Sequence, residues 1–182
     1  MRYSIRDVRV FDGTGSAPRP ATVIVTDDRI THVGDPDTAP DAQPGDVVIE
    51  GHGGTLMPGL TDAHGHLSWG SSVEKIYHQF MLPPEELRVA TWRNARVMLD
   101  HGFTSVYSAG ALADRLEVEL KRDIESGATP GPRLISSTIE RSPEGEGGVE
   151  TGDVEHGRGA DAMRAFVYHC KEIGVDSVKL II

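Results

Sequence analysis

A change of rhythm at Met57 constrains this chain more than any other feature. Beyond it, short apolar runs alternate with segments whose apolar residues recur every three or four positions. That alternation marks βα units and a parallel sheet. Strands are expected just after Pro58-Gly59 and at 103–107, 134–138 and 177–182. Pro83-Pro84 followed by Glu85-Glu86 opens a helix, with proline in the first turn and acids at its positive end. Its inward stripe is expected to be Leu87, Ala90, Asn94, Val97 and Met98. Leu112, Leu116, Leu120 and Ile124 recur every four residues and predict a second helix, closed by Gly127. Ala160, Met163, Phe166, Val167, Cys170 and Ile173 predict a third, stopped at Gly174. Residues 141–158, rich in Gly, Glu and Pro, read as a long loop.

Before Met57 the pattern is one of strands. Ile5, Val8, Val10 and Phe11 lead into Asp12-Gly13, a turn signal. Val23-Ile24-Val25, Asp27-Asp28 and Ile30-Thr31-His32-Val33 read as a hairpin. Residues 35–45 form a loop, and Val47-Val48-Ile49 a further strand. The expected division is a small β-domain over 1–56 and an α/β domain over 57–182.

The 182 residues carry a formal charge of −10, and 38 % are hydrophobic. That content supports a packed core. The acidic balance argues against nucleic acid and anionic membrane surfaces, both of which attract basic patches. No apolar run approaches the roughly 18 residues a membrane helix needs, and residues 1–10 lack a signal-peptide core. Cys170 is the single cysteine. No intrachain disulfide can form, and a reducing cytoplasmic setting is expected. On a helical stripe, Cys170 reads as a small core side chain rather than a nucleophile.

The chemistry concentrates in Asp62-Ala63-His64-Gly65-His66. On a strand, residues i and i+2 share a face. His64 and His66 then stand about 6–7 Å apart, a gap that suits one metal ion held by two ring nitrogens. A surface strand can also carry two histidines without metal. Asp62 shares their face and reads either as an acceptor for an imidazole N–H or as a strand-end residue. Lys179, inside the apolar run Val178 to Ile181, also needs a partner. A salt bridge or a snorkelling stem is the simple reading.

The stretch from Pro58 to Leu67 resembles the first-strand signature of the amidohydrolase superfamily, P-G-hydrophobic-hydrophobic-D-x-H-x-H. Phe11-Asp12-Gly13-Thr14-Gly15 and residues 24–34 resemble the β-domain that precedes the barrel in those enzymes. His101-Gly102-Phe103-Thr104-Ser105-Val106 and Gly127-Ala128-Thr129-Pro130-Gly131-Pro132-Arg133-Leu134 resemble its second strand and the approach to its third. The prolidase and imidazolonepropionase-like branch is the nearest in pattern. The resemblance implies an N-terminal β-sandwich-type domain plus the first half, about four βα units, of a (β/α)8 barrel. Val178 to Ile182 would then be a bare parallel edge, so a second polypeptide carrying the remaining strands, and a higher oligomer, are expected. A truncated fragment is the alternative.

The resemblance also implies a ligand set. His64 and His66 would bind metal, and Lys179, in Gly174-Val175-Asp176-Ser177-Val178-Lys179, would be carboxylated by CO2 and bridge two divalent ions, zinc by expectation. The remaining histidines and the aspartate base would come from strands this chain lacks. Tyr107 and His156 are candidate substrate contacts; the alternatives are a packing role for Tyr107 and, as the default for a loop residue, an ordinary histidine at 156. Glu146-Gly147-Gly148 and Glu155-His156-Gly157 depart from the family's G-H-G-D-like loop, and Tyr107-Ser108-Ala109-Gly110 stands where relatives often show Arg-Asp. The implied activity is hydrolysis of a C–N bond in an amide, peptide-like or cyclic amide substrate by a metal-bound hydroxide. Alternatives are a one-metal deaminase, lactonase or decarboxylase, and a non-catalytic subunit or fragment.

Overall fold

The computed structural model describes residues 1–70, 75, 78, 80–142 and 158–181. The chain divides into two compact units, Met1–Pro58 and Gly59–Ile182.

In the first unit, β1 (Arg2–Val10), β2 (Arg19–Thr26), β3 (Arg29–Gly34) and β4 (Val47–Leu56) form one sheet in the order β3-β2-β1-β4. β1 and β2 pair antiparallel, as do β2 and β3; β4 lies parallel to β1. The hairpin turns through Asp27 at φ 54°, a left-handed conformation that aspartate tolerates better than most residues. Ala21, Val23 and Ile24 on the central strand are buried. Among the described residues this unit is one mixed four-stranded sheet, where a sandwich-type domain was expected. Four strands are consumed in making a single layer.

In the second unit, β5 (Leu60–Gly65), β6 (Phe103–Ser108) and β7 (Arg133–Ile135) run parallel in that order. The connections contain α1 (Pro84–Asp100) and α2 (Leu116–Glu125); α3 (Gly159–Ile173) follows β7. Leu67, Ala95, Val106, Leu120 and Leu134 form the core between sheet and helices. Val106 and Leu134 are register partners on the helix-covered face. Tyr107 and Ile135, their neighbours in sequence, are exposed on the other face, as alternation in a strand requires.

Three expectations need correction. The inward line of α1 is Leu87, Thr91 and Ala95, with Val97 exposed. Thr91 can be buried because its hydroxyl donates to the Leu87 carbonyl at 2.8 Å. The second helix starts at Leu116, so Leu112 is a buried loop residue. The third strand stops at Ile135, and residues 177–181 form no regular fourth strand.

The last correction has a visible cause. Beyond Ile135, backbone groups are claimed by side chains: the Ser136 N–H donates to Asp176 at 2.7 Å and the Ser137 N–H to Glu117 at 2.9 Å. The Ser136 carbonyl accepts from the Ser177 N–H at 3.0 Å, and the Arg141 carbonyl from Ile181 at 2.8 Å. Only Arg141 and Leu180 close a parallel bridge. The chain runs alongside as the fourth strand should, with its ladder interrupted.

α3 ends at Gly174, φ 86°. Its buried face is Phe166, Cys170 and Ile173, with Val167 exposed. Burial pushes the Cys170 thiol up to about 11, which leaves it protonated and unreactive at neutral pH. Among the described residues no helix is long and apolar enough to cross a membrane.

Candidate functional site

β5 carries His64, and His66 follows its last residue. Gly65 between them is required by packing. A Cβ there would stand 2.8 Å from Val106 Cγ1 and 3.1 Å from Asp62 Oδ2. The absent side chain lets β5 lie close to β6 at the strand end that carries the two histidines. Their ring centroids are 5.4 Å apart, edge to face. His64 is exposed; the His66 side chain is 16 % exposed. Asp62 Oδ1 accepts the backbone N–H of His64 at 3.0 Å, the strand-end role.

His66 is held on several sides. Its Nδ1 lies 3.0 Å from the Gly110 carbonyl, and Glu140 Oε1 is 3.8 Å from the same nitrogen. Trp69 stacks on the ring, with centroids 3.9 Å apart. A carbonyl can only accept, so Nδ1 carries the proton and Nε2 presents its lone pair. Burial lowers the His66 pKa, with Gly110 and Glu140 pulling it up and His64 and Lys179 pulling it down. The ring is therefore neutral at pH 7. A neutral imidazole with Nδ1 anchored is the state a metal-ligating histidine needs.

The Lys179 charge is the last and smallest of the influences on the His66 pKa. The Lys179 carbonyl accepts the Arg141 N–H at 3.2 Å. Asp176, three residues earlier, is bound by Lys121 at 2.8 Å and by the Ser136 hydroxyl and amide at 2.7 Å each. Burial would raise its pKa; Lys121 and Ser136 outweigh that and lower it. Asp176 thus secures the segment leading to Lys179. Tyr107 is 49 % exposed on the open face of β6. His156 lies outside the described residues.

Among the described residues, no three His, Cys, Asp or Glu side chains gather as a metal-holding group. His64 and His66 offer two suitable donors. By themselves they fall short of the four a zinc ion takes.

Three acidic or basic groups escaped the sequence reading. Glu140 has no periodic signal, being placed by a loop. Glu117 stands three residues before Leu120 on the inward face of α2, a position the helical period marks. His169 is 20 % exposed and pairs with buried Asp114 at 2.7 Å. Its spacing from Phe166 and Ile173 puts it on the packed face of α3.

Gly110 is a backbone requirement of the site. It sits at φ 137°, and a Cβ would stand 2.6 Å from Glu140 Cγ. Gly110→Ala is expected to cost about 1–3 kcal/mol, the usual range for such strain, and to displace the carbonyl holding His66. Denaturant unfolding measures the first effect; His66 imidazole resonances report the second.

The fold and site together describe an α/β protein with an imidazole pair at the carboxyl ends of parallel strands. The amidohydrolase family profile matches residues 55–169, and the chain belongs to that family. Imidazolonepropionase from Idiomarina loihiensis is 50 % identical over 52 residues, 29 % of this chain and 12 % of the relative. Adenine deaminase from Paracoccus denitrificans is 35 % identical over 85 residues, 47 % of this chain and 11 % of the relative. A Xaa-Pro dipeptidase structure with methionine in its active site superposes with a TM-score of 0.79 at 20 % identity. It covers 99 % of this chain, which spans 47 % of that one. The likeness at that identity is one of fold. The family generally uses metal ions.

Proposed function

We propose that this chain supplies part of a metal-dependent hydrolase that cleaves a C–N bond of an amide, peptide-like or cyclic amide substrate. The observation that carries the reading is His66: neutral, anchored through Nδ1 to Gly110, with its ring 5.4 Å from that of His64. In this reading residues 1–56 are the small β-domain and 57–182 the first half of a (β/α)8 barrel. A second stretch of polypeptide, in another chain or the same one, supplies the remaining strands, further metal ligands and an aspartate base. A higher oligomer and a cytoplasmic setting belong to the same proposal.

His64 and His66 hold the metal through ring nitrogens. Lys179 reacts with CO2: its neutral Nζ attacks carbon, an N–C bond forms, one C=O electron pair moves to oxygen, and the Nζ proton leaves to solvent. The resulting carbamate would be a two-oxygen anion able to serve as a metal ligand. Divalent ions held there, zinc in this reading, would polarise the scissile carbonyl and bring the pKa of a water toward 7. Tyr107 on the open face, and His156, are candidate substrate contacts.

Elemental analysis of the protein at its natural length, with hydrolysis assays on amide, dipeptide and cyclic amide panels, tests the proposal. Two zinc ions per site and turnover are expected. A folded protein that takes up no divalent metal would overturn it. Lys179→Ala is expected to retain at most one ion and lose at least 100-fold in kcat, with partial recovery in acetate, whose carboxylate replaces the carbamate oxygens. Full metal content in Lys179→Ala would remove the bridging role.

A one-metal deaminase is the second reading, favoured by the 35 % identity to an adenine deaminase. One ion per site, an unmodified Lys179 and ammonia release from aminopurines distinguish it.

A further inference from the structure

Glu117 is fully buried in the first turn of α2, where an acidic residue ordinarily faces water at the positive end of the helix. Its Oε2 accepts the Ser137 N–H at 2.9 Å, just past β7. Its Oε1 is buried without a hydrogen-bond partner. The Ser108 hydroxyl, at the end of β6, and the Leu67 amide, next to His66, also act on the carboxyl group. One side chain therefore addresses the ends of all three parallel strands. Among the described residues no ion pair compensates it: desolvation dominates, pushes its pKa up to about 7, and outweighs the lowering influence of Ser108, Ser137 and Leu67.

We infer that Glu117 is a positioning residue of the metal site: its buried carboxyl group ties together the carboxyl ends of β5, β6 and β7 and so fixes the orientation of His66. Two routes lead there. Leu67 follows His66 directly. Ser108 accepts the Gly110 N–H through Oγ at 3.2 Å, and the Gly110 carbonyl accepts from His66 Nδ1 at 3.0 Å. A residue chosen for stability here would be apolar or a neutral amide, since a buried carboxylate costs more than it returns. Glutamine keeps a side-chain oxygen that can accept the Ser137 N–H, and alanine does not.

This inference rests on the metal-site reading above, and its test separates the two. In histidine-labelled protein at its natural length, the His66 imidazole resonances are compared in wild type, Glu117→Ala and Glu117→Gln without metal. Zn2+ and Co2+ affinities follow by calorimetry, with the visible Co2+ spectrum as a geometric readout. Glu117→Ala is expected to shift the His66 resonances, weaken Zn2+ binding at least tenfold and alter the Co2+ spectrum. Glu117→Gln is expected to stay within threefold of wild type with the His66 signals in place. Wild-type affinity in folded Glu117→Ala, or weaker binding with unmoved His66 signals, overturns the inference. If Glu117→Ala does not fold, Ser108→Ala decides: a shifted His66 resonance supports the second route, and an unchanged one overturns it. Failure of the wild type to bind Zn2+ sinks the metal-site reading, and the imidazole resonances then judge Glu117 alone.

Discussion

His66→Ala is expected to abolish tight divalent-metal binding and lower turnover by at least about 1000-fold, with the fold retained. The size of the effect follows from the site. A zinc ion takes about four donors; in the proposed site the described residues would offer two imidazoles and one lysine, and removing the anchored imidazole would leave exposed His64 and Lys179. His66 is also the donor whose chemical state the fold has prepared. Gly110 fixes its tautomer, Trp69 limits its ring orientation, and burial keeps it neutral. Preorganised ligands and their outer partners typically govern metal affinity by one to two orders of magnitude even when only the partner is lost. Elemental analysis and Co2+ titration measure the binding; far-UV circular dichroism checks the fold. Wild-type metal content in His66→Ala would mean the ion sits elsewhere.

Glu117→Gln is expected to flatten the pH dependence of stability. The Glu117 pKa is raised from an ordinary 4.5 to about 7 by burial. Between those values the folded chain holds a proton that the unfolded chain has released. Stability therefore falls as pH rises through that window. Below about pH 4.5 both states are protonated and the penalty vanishes. Above about pH 7 both are ionised and it is complete, at about 3 kcal/mol for such a shift. Glutamine does not titrate, so the variant should gain most at pH 8 and least near pH 5. Urea unfolding at several pH values reads this directly; parallel stability curves for the two proteins would show that Glu117 keeps an ordinary pKa.

These two residues mark the boundary of what a sequence reading reaches. His64 and His66 are visible because a strand has period two and their spacing is two. The position of α1 is visible because Pro83-Pro84 and Glu85-Glu86 punctuate it. Its buried face is less so: Leu87 is buried as expected and Met98 packs against the core, but Thr91 and Ala95 are buried and Val97 is exposed, because a threonine that bonds its own helix can be buried as an alanine can. Glu117 and His169 sit on inward helical faces in plain sight, yet their polarity argues for solvent until a partner or a cavity is known.

The sequence by itself determined the parallel βα order of the second unit, the hairpin of the first and the placing of two imidazoles at one strand end. Each follows from local periodicity and local turn chemistry, which need no knowledge of distant residues. Only the tertiary structure decided the rest. Gly110 and Glu140 come from separate loops to meet His66, 44 residues separating the first pair. Glu117 and Asp176 draw backbone amides away from the ladder and end β7 early. Such contacts depend on which strand ends the core brings together, and burial then sets whether a group is charged.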